Sequence, residues 1–260
     1  MKTLKITFFI IIAIIFTIPL SAQDDYFITE SDGYYGVLDS DGYEIVTPKY
    51  DAIDDFNKLR KDWAVVSLKG KHGIIDKTGN ELLPPVYEEI SDFNEYQEGW
   101  AKIVKKGKIG FINKDGIIAV RPVYQEVGKF DEKFQGLSQI KINEKYGFMD
   151  KEGLILINPV YDSIGDFGTY RPDWIDVMID NKVGFLNKKA KVIIPPKYEA
   201  VEEFSIRNKK WALVRRDGLY GFINGEGVEV VKAKFESIKP LDPKLKDKDI
   251  TQRVFAANVK

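Results

Sequence analysis

A period of 37 residues constrains the fold of this 260-residue chain more than any other feature. A glycine followed by an apolar pair recurs at this step, and so does an aromatic residue that follows one or two prolines. The glycines are Gly36, Gly73, Gly110, Gly147, Gly184 and Gly221. The aromatic residues are Tyr50, Tyr87, Tyr124, Tyr161, Tyr198 and Phe235. A third column contains Trp63, Trp100, Trp174 and Trp211, with Tyr26 and Leu137 in its other places. The chain therefore divides into six uninterrupted units, 26–62, 63–99, 100–136, 137–173, 174–210 and 211–247.

Each unit begins with the pattern of a β-hairpin. Apolar residues stand one and three places after the Trp column, as at Ala101 and Ile103, and this alternation predicts a strand with one buried face. A pair such as Lys106-Gly107 follows. Glycine, Asn and Asp tolerate the positive φ of a type I′ turn, so the pair predicts a tight connection to a second strand.

The second half of each unit predicts a further turn, a third strand and a final bend. An Asp or Asn with a glycine three residues later, as at Asn113 and Gly116, is typical of a type I turn. Because proline cannot donate to a ladder, we expect the third strand to stop at residues such as Pro85. The spacing of Tyr87, Ile90 and Phe93 suits a helical or 3₁₀ turn.

One unit is too small to bury a core of its own, so neighbouring units must share faces. The sequence predicts an all-β chain of tandem β-hairpin repeats that forms an open, twisted β-solenoid. A six-bladed, propeller-like ring is the alternative. Residues 255–260 resemble the first strand at residues 100–105, so 248–260 are expected to add a capping strand to an exposed sheet edge.

The N-terminus has the pattern of a signal peptide. Lys2 and Lys5 precede an apolar run of fifteen residues, 6–20, which ends at Ser21-Ala22. A helix of that length measures about 22 Å, which is too short for a hydrocarbon core of about 30 Å. We therefore expect residues 1–22 to be cleaved, 23–25 to form a lead-in, and the mature chain, without a membrane span, to be periplasmic, on the cell surface or secreted.

Composition excludes several classes of function. The chain has no cysteine and one histidine, so disulfides, thiolate or His-pair metal sites and a cysteine nucleophile are not expected. Removing Lys2 and Lys5 leaves 37 basic residues against 40 acidic ones, a net charge of −3, with both signs interspersed. This distribution lacks the basic face that nucleic acids require. No catalytic residue, metal or cofactor is predicted.

Residues that could act in acid–base catalysis or bind a metal mostly recur in columns, which favours structural roles. The single histidine, His72, shares a column with tyrosines and aliphatic residues, so we interpret it as a partly exposed strand residue. Acidic residues follow the aromatic column at Asp51, Glu88, Asp162, Glu199 and Glu236, which favours capping of the following segment over catalysis. Asp39 and Gly42 belong to a fragment of a calcium-loop pattern that is best explained as a turn.

Two interpretations of the Trp column remain open. The indoles either pack between units or form an exposed ladder that stacks on sugars or partner surfaces. The six-residue connections before each Trp share no pattern, and loops of this kind can bind partners without disturbing a core. The candidate partner-binding residues are Leu59, Tyr96, Phe134, Tyr170 and Arg171. These loops could equally be solvated connectors.

The units resemble WG repeats, also called KWG repeats, of bacterial proteins. The similarity covers residues 26–247 and is clearest in the stretches Trp63 to Phe93, Trp100 to Phe130 and Trp174 to Phe204. Leu137 and Ala190 depart from the pattern, as does the sixth unit. The resemblance implies a β-rich scaffold without shared catalytic residues. We therefore expect a non-enzymatic exported scaffold that binds an unidentified envelope protein; the alternatives are a module that binds glycan or cell-surface polysaccharide, and a glycoside-acting enzyme.

Overall fold

The computed structural model describes residues 26–204 and 210–238, and within them the chain is all-β. The strands form six antiparallel sheets, one after another along the sequence, and no helix occurs in the described ranges. The prediction of tandem β repeats is confirmed. Residues 1–25, with the predicted signal peptide and lead-in, lie outside the described part of the chain, as do residues 239–260 with the predicted capping strand.

Sheet I has three strands and sheets II to VI have four each. Sheet I comprises β1 (Phe27–Ser31), β2 (Tyr34–Leu38) and β3 (Glu44–Tyr50). Sheet II comprises β4 (Ala52–Ile53), β5 (Trp63–Leu68), β6 (Lys71–Asp76) and β7 (Glu81–Tyr87). Sheet III comprises β8 (Glu89–Phe93), β9 (Trp100–Lys105), β10 (Lys108–Asn113) and β11 (Ile118–Tyr124). Sheet IV comprises β12 (Glu126–Val127), β13 (Leu137–Ile142), β14 (Lys145–Asp150) and β15 (Ile155–Tyr161). Sheet V comprises β16 (Ser163–Ile164), β17 (Trp174–Ile179), β18 (Lys182–Asn187) and β19 (Val192–Tyr198). Sheet VI comprises β20 (Ala200–Val201), β21 (Trp211–Arg216), β22 (Leu219–Asn224) and β23 (Glu229–Phe235).

The first strand of sheets II to VI comes from the end of the preceding sequence unit. In sheet II, Ala52 and Ile53 of β4 pair with Ser67 and Val66 of β5. The expectation of a helical turn in this segment is wrong. Pairing with the next hairpin satisfies backbone groups that an isolated turn would leave open, and it ties consecutive units together.

The predicted turns are confirmed. Both residues of each two-residue hairpin have positive φ, as at Lys106 (52°) and Gly107 (67°), which is the type I′ geometry. In the second turn, the Asn113 side-chain oxygen accepts hydrogen bonds from the backbone N–H groups of Asp115 and Ile117, at 2.9 and 3.0 Å. Asp39 makes the equivalent bonds, so its segment is a turn.

A bulge in the third strand explains the glycine and proline columns together. In sheet III, Phe111 pairs with Val120 and Ile109 pairs with Tyr124, so the third strand has two extra residues. A Cβ on Gly110 would lie 2.5 Å from both the Val120 carbonyl oxygen and the Pro122 nitrogen. The expectation that the strand stops at proline is wrong, because Pro122 lies in the bulge, where no ladder bond needs its missing N–H.

The sheets stack face to face, with one hydrophobic core at each of five interfaces. The core between sheets II and III contains Trp63, Leu83 and Ile103, whereas the core between sheets I and II contains Ala64 on the opposite face of β5. The other cores join III to IV, IV to V and V to VI. No core cluster of the described residues joins sheet I to sheet VI, so this part of the chain is an open array.

Candidate interaction surface

The predicted loop residue Phe134 is a core side chain, only 3% exposed. Its ring lies 4.8 Å from Phe148 and 5.3 Å from Phe167, centroid to centroid. Trp174 contacts the equivalent pair, Phe185 and Phe204, in unit 174–210. Phe134 therefore replaces the indole that unit 137–173 lacks at Leu137, and its side chain is not available to a partner.

The other predicted loop residues also pack against the cores. Tyr96 and Tyr170 make edge-on contacts with Phe111 and Phe185, at 5.3 and 5.1 Å. Leu59 packs on the core between sheets II and III. The Arg171 guanidinium lies over two aromatic rings and pairs with Asp173. The connections thus fasten each sheet to the next. Leu59, Tyr96 and Tyr170 all stand four places before the Trp column, and this shared offset is a signal in the sequence that the interpretation as variable loops missed.

Three of the four tryptophans are buried between sheets. Trp63, Trp100 and Trp174 are 2 to 8% exposed. Trp211, in sheet VI, is 36% exposed because no described sheet covers its face. This geometry matches the packing interpretation of the column. It provides no exposed ladder of indoles along the array.

The tyrosine column is buried at every interface, but its hydroxyl groups differ in their partners. The Tyr50 hydroxyl donates to Glu81 Oε1 at 2.7 Å, and the Tyr198 hydroxyl donates to Glu229 Oε1 at 2.8 Å. Burial, followed by the hydrogen bond to the carboxylate, raises the pKa of Tyr50. The hydrogen bond from Lys49, and then that from Tyr50, lowers the pKa of Glu81.

The same glutamate position carries an aliphatic residue at the three central interfaces. Ile118, Ile155 and Val192 follow Tyr87, Tyr124 and Tyr161 by 31 residues, the spacing that separates Tyr50 from Glu81. None of these three tyrosine hydroxyls donates a hydrogen bond to another described residue. Ile118 and Ile155 are each 42% exposed, and Val192 is 56% exposed. Packing within the array therefore does not account for these aliphatic side chains.

Ile118 and Ile155 form a larger exposed surface on sheets III and IV together with the residues next to them. The central aliphatic surface comprises Ile117, Ile118, Leu154, Ile155 and Leu156, all of them exposed. The two strands are neighbours: a Cβ on Gly153 would lie 2.7 Å from Val120 Cγ2 and 3.6 Å from the Ala119 carbonyl oxygen. Single exposed aliphatic residues are ordinary on proteins, but five of them on or next to two neighbouring edge strands make this surface a candidate for interaction.

Strand addition does not suit this surface. β11 and β15 are edge strands, but Pro122 and Pro159 interrupt their hydrogen-bonding edges within the bulges. Proline and bulges protect an edge from pairing with another strand. A partner would therefore contact the side chains of the central aliphatic surface rather than extend a sheet.

A cleft of about 740 Å³ opens beside this surface, between sheets III and IV. Its walls include Trp100 and Phe130 and several charged residues. Asn113 and Asp115, which precede Ile117 in the same turn, also line the cleft. The cleft and the central aliphatic surface thus share the turn between β10 and β11.

Four of the five recurring acidic residues accept hydrogen bonds from a hairpin turn: Asp51, Glu88, Asp162 and Glu199. Glu88 accepts hydrogen bonds from the backbone N–H groups of Lys106 and Gly107, at 3.1 and 2.8 Å. Asp162 accepts one from Asp180 at 2.7 Å. These acids cap the next hairpin turn, not the adjacent segment that the sequence had suggested, because the segment is a strand.

His72 lies in β6, with its Nδ1 3.1 Å from the Ser67 hydroxyl oxygen. It lines a smaller cleft of about 340 Å³, together with Glu88 and Asp92. Within 26–204 and 210–238, no cluster of three or more His, Asp or Glu residues could hold a metal ion. The same ranges contain no helix capable of crossing a membrane.

Several solved structures share limited similarity with this chain. One is PorZ, an essential bacterial surface component of the type-IX secretion system of Porphyromonas gingivalis, at 9% identity and a TM-score of 0.25. The match covers 80% of this chain, which spans only 31% of the PorZ chain. BamB from Moraxella catarrhalis is 14% identical, with 79% and 69% coverage and a TM-score of 0.26. Similarity at this level carries no argument about function.

No curated protein sequence matches the chain. The model of the WG containing repeat, by contrast, matches six consecutive stretches, 35–71, 73–108, 109–146, 146–182, 184–220 and 220–242. These stretches cover most of the chain and coincide with the 37-residue period seen in both sequence and sheets. The chain therefore belongs to the family of WG repeat proteins.

Proposed function

We propose that this chain is a non-enzymatic, exported β-repeat scaffold that binds a protein partner at the bacterial cell envelope. The observation that supports the proposal is the central aliphatic surface. Its residues are exposed in the two middle sheets, while the buried cores form without them. Removing such a surface from water would favour association with an apolar face of another protein.

A protein partner suits this surface better than a glycan. Sugar rings stack on exposed aromatic faces, whereas the exposed side chains here are isoleucine and leucine. Burial of Trp63, Trp100 and Trp174 removes the main support for the glycan-binding alternative. The glycan hypothesis would regain support only from binding that depends on an exposed aromatic residue.

The roles of the acidic residues support a function without catalysis. Glu88 and Asp162 cap hairpin turns, and Glu81 links neighbouring sheets. These carboxylates are thus engaged in hydrogen bonds that recur along the array. A glycoside-acting enzyme would instead need one asymmetric pair facing a substrate.

The sequence pattern of residues 1–22 supports export. A basic start, an apolar run and a small-residue end are the features that secretion machinery recognises. A scaffold delivered in this way would meet its partner in the periplasm or at the cell surface. Fractionation of cells that express the full chain tests this point, and a cytoplasmic pool that retains residues 1–22 would contradict it.

Site-specific photo-crosslinking tests the binding proposal. A photoreactive phenylalanine derivative replaces Leu154, and in a matched control it replaces Tyr43, which occupies the same column of sheet I and is also exposed. We expect a specific crosslinked protein from position 154 and none from position 43, after irradiation of intact cells. Equal products from both positions, no product, or a crosslink only to a second copy of this chain would overturn the proposal.

A further inference from the structure

The residue three places before the Trp column covers the aromatic core of its sheet. Arg60 stands at this place before Trp63, and its guanidinium carbon lies 5.1 Å from the Trp63 ring centroid. Arg171 stands at the same place before Trp174, and its guanidinium carbon lies 5.5 Å from the Trp174 ring centroid. Such contacts are attractive because the negative face of the ring meets a cation.

Sheet III has no arginine at this place before its tryptophan, Trp100. The equivalent residue is Gln97, whose Nε2 donates to the Lys151 carbonyl oxygen at 2.6 Å. Gln97 has no positive charge, and the cleft of about 740 Å³ lies at this place, with Trp100 and Phe130 in its walls. Its volume falls in the range that accommodates small-molecule groups and side chains.

The cleft also has carboxylates that lack a cation. Glu98 and Asp115 line it, and neither forms an ion pair with another described residue. Asp131 also lines it, but pairs with Lys151 at 2.9 Å. Lys114 is the remaining charged residue of the lining, so the lining carries three carboxylates against two ammonium groups.

We propose that this cleft binds the guanidinium group of an arginine side chain supplied by the partner protein. The chain makes the same kind of guanidinium–indole contact within itself, because Arg60 and Arg171 occupy the corresponding place in two other units. The inference rests on the proposed function in taking the arginine from a protein partner. The geometry suits it, since the turn that ends at Ile117 borders both the cleft and the central aliphatic surface.

A small probe tests the cleft without the partner. N-acetyl-arginine amide is titrated into the protein while the Trp100 indole N–H signal is followed by NMR, with Trp100→Phe used for its assignment. We expect a saturable shift with a dissociation constant on the order of millimolar. N-acetyl-citrulline amide, a neutral molecule of the same shape, should give no saturable shift.

Variants of the cleft separate recognition from general effects. Gln97→Arg supplies an internal guanidinium, as in sheets II and V, and should abolish the shift while the protein stays folded. Glu98→Gln with Asp115→Asn should weaken binding about fivefold, whereas Glu95→Gln, outside the cleft lining, should not change it. Equal binding of citrulline, no shift at all, or a shift that persists in Gln97→Arg would overturn this inference. The crosslink from position 154 would remain in each of those cases if only this inference is wrong.

Discussion

The terminal and central interfaces of the array differ at one column, the position 31 residues after each buried tyrosine. The terminal interfaces have glutamate there, and the central ones have an aliphatic residue. Between sheets I and II and between sheets V and VI, a buried tyrosine hydroxyl donates to Glu81 or Glu229 of the next sheet. Between sheets III and IV, Ile155 occupies the glutamate position and faces solvent. The repeat thus tolerates either residue, and the aliphatic choice in the centre removes a hydrogen bond while it creates an apolar surface.

This difference separates what the fold requires from what individual units add. Every interface retains the buried tyrosine and a continuous core, so the glutamate is not needed for stacking. The terminal glutamates contribute hydrogen bonds and ion pairs, such as Arg216 with Glu229 at 2.7 Å. The central residues contribute exposed area instead. Positions that vary regularly along the array are therefore the ones that carry function in this account.

The largest expected effect comes from Phe134, on which the central array depends in place of a tryptophan. Phe134→Ala should lower the free energy of unfolding by about 3–5 kcal/mol, because it removes a buried ring and leaves a cavity. Phe27→Ala, at an exposed position in sheet I, is the matched control and should cost much less. Urea denaturation monitored by circular dichroism measures both, and similar losses would contradict the role assigned to Phe134.

The bulge glycine should be nearly as sensitive. Gly110→Ala would place a methyl group 2.5 Å from the Val120 carbonyl oxygen, so the strands must separate, at a cost of about 1–3 kcal/mol. Gly107→Ala is a comparison at a turn where a Cβ meets nothing within 4 Å, so its cost of about 1–2 kcal/mol comes from the positive φ alone and should not separate the strands. Hydrogen exchange should show the loss of protection spreading from sheet III to both neighbours, and a loss confined to β10 would contradict this explanation.

Tyrosine-to-phenylalanine changes test the comparison of interfaces itself. Tyr50→Phe removes a hydrogen bond to a carboxylate and should lower the free energy of unfolding by about 1 kcal/mol. Tyr87→Phe removes a hydroxyl that makes no hydrogen bond to another described residue, so its effect should be close to zero. Thermal denaturation of the two variants under the same conditions provides the measurement. Equal effects would mean that the glutamate adds nothing at the terminal interfaces.

The smallest expected effect is the dependence of stability on pH through Glu81. The pKa of Glu81 is below its ordinary value of 4.5, so its contribution to stability is present above that pH and is lost as pH falls through the folded-state pKa. Because the carboxylate is partly exposed, we expect less than about 1 kcal/mol. The melting temperatures of the wild type and Glu81→Gln should differ at pH 6 and converge as the pH falls below 4.5 and through the lowered pKa of Glu81. A constant difference across this range would contradict the assignment.

Local chemistry made most of the repeat predictable from the sequence. Hairpin turns such as Lys106-Gly107 and the Asn113 turn are fixed by residues adjacent in the chain, and the structure confirms both. The fourth strand was not predictable in this way, since two residues such as Ala52 and Ile53 show no periodicity. Their pairing depends on a hairpin that begins ten residues later.

The candidate surface was harder to predict because its evidence crosses unit boundaries. The link between Tyr50 and Glu81 spans 31 residues and two units, so analysis of one unit does not reveal it. The loop contacts are partly visible in the sequence, since Leu59, Tyr96 and Tyr170 share one offset from the Trp column, whereas Phe134 stands one place closer to it. A signal was available: the glutamate column becomes aliphatic at Ile118 and Ile155, where a solvent-facing strand position would normally be polar.

The most direct test converts two of the three central interfaces, II to III and III to IV, into copies of the terminal one. The double variant Ile118→Glu with Ile155→Glu places carboxylates 31 residues after Tyr87 and Tyr124, as Glu81 follows Tyr50. We expect the free energy of unfolding to rise by about 1 kcal/mol for each new hydrogen bond, and crosslinking of a partner from position 154 to fall at least tenfold. Undiminished crosslinking in a folded variant, or a lower free energy of unfolding, would contradict this expectation.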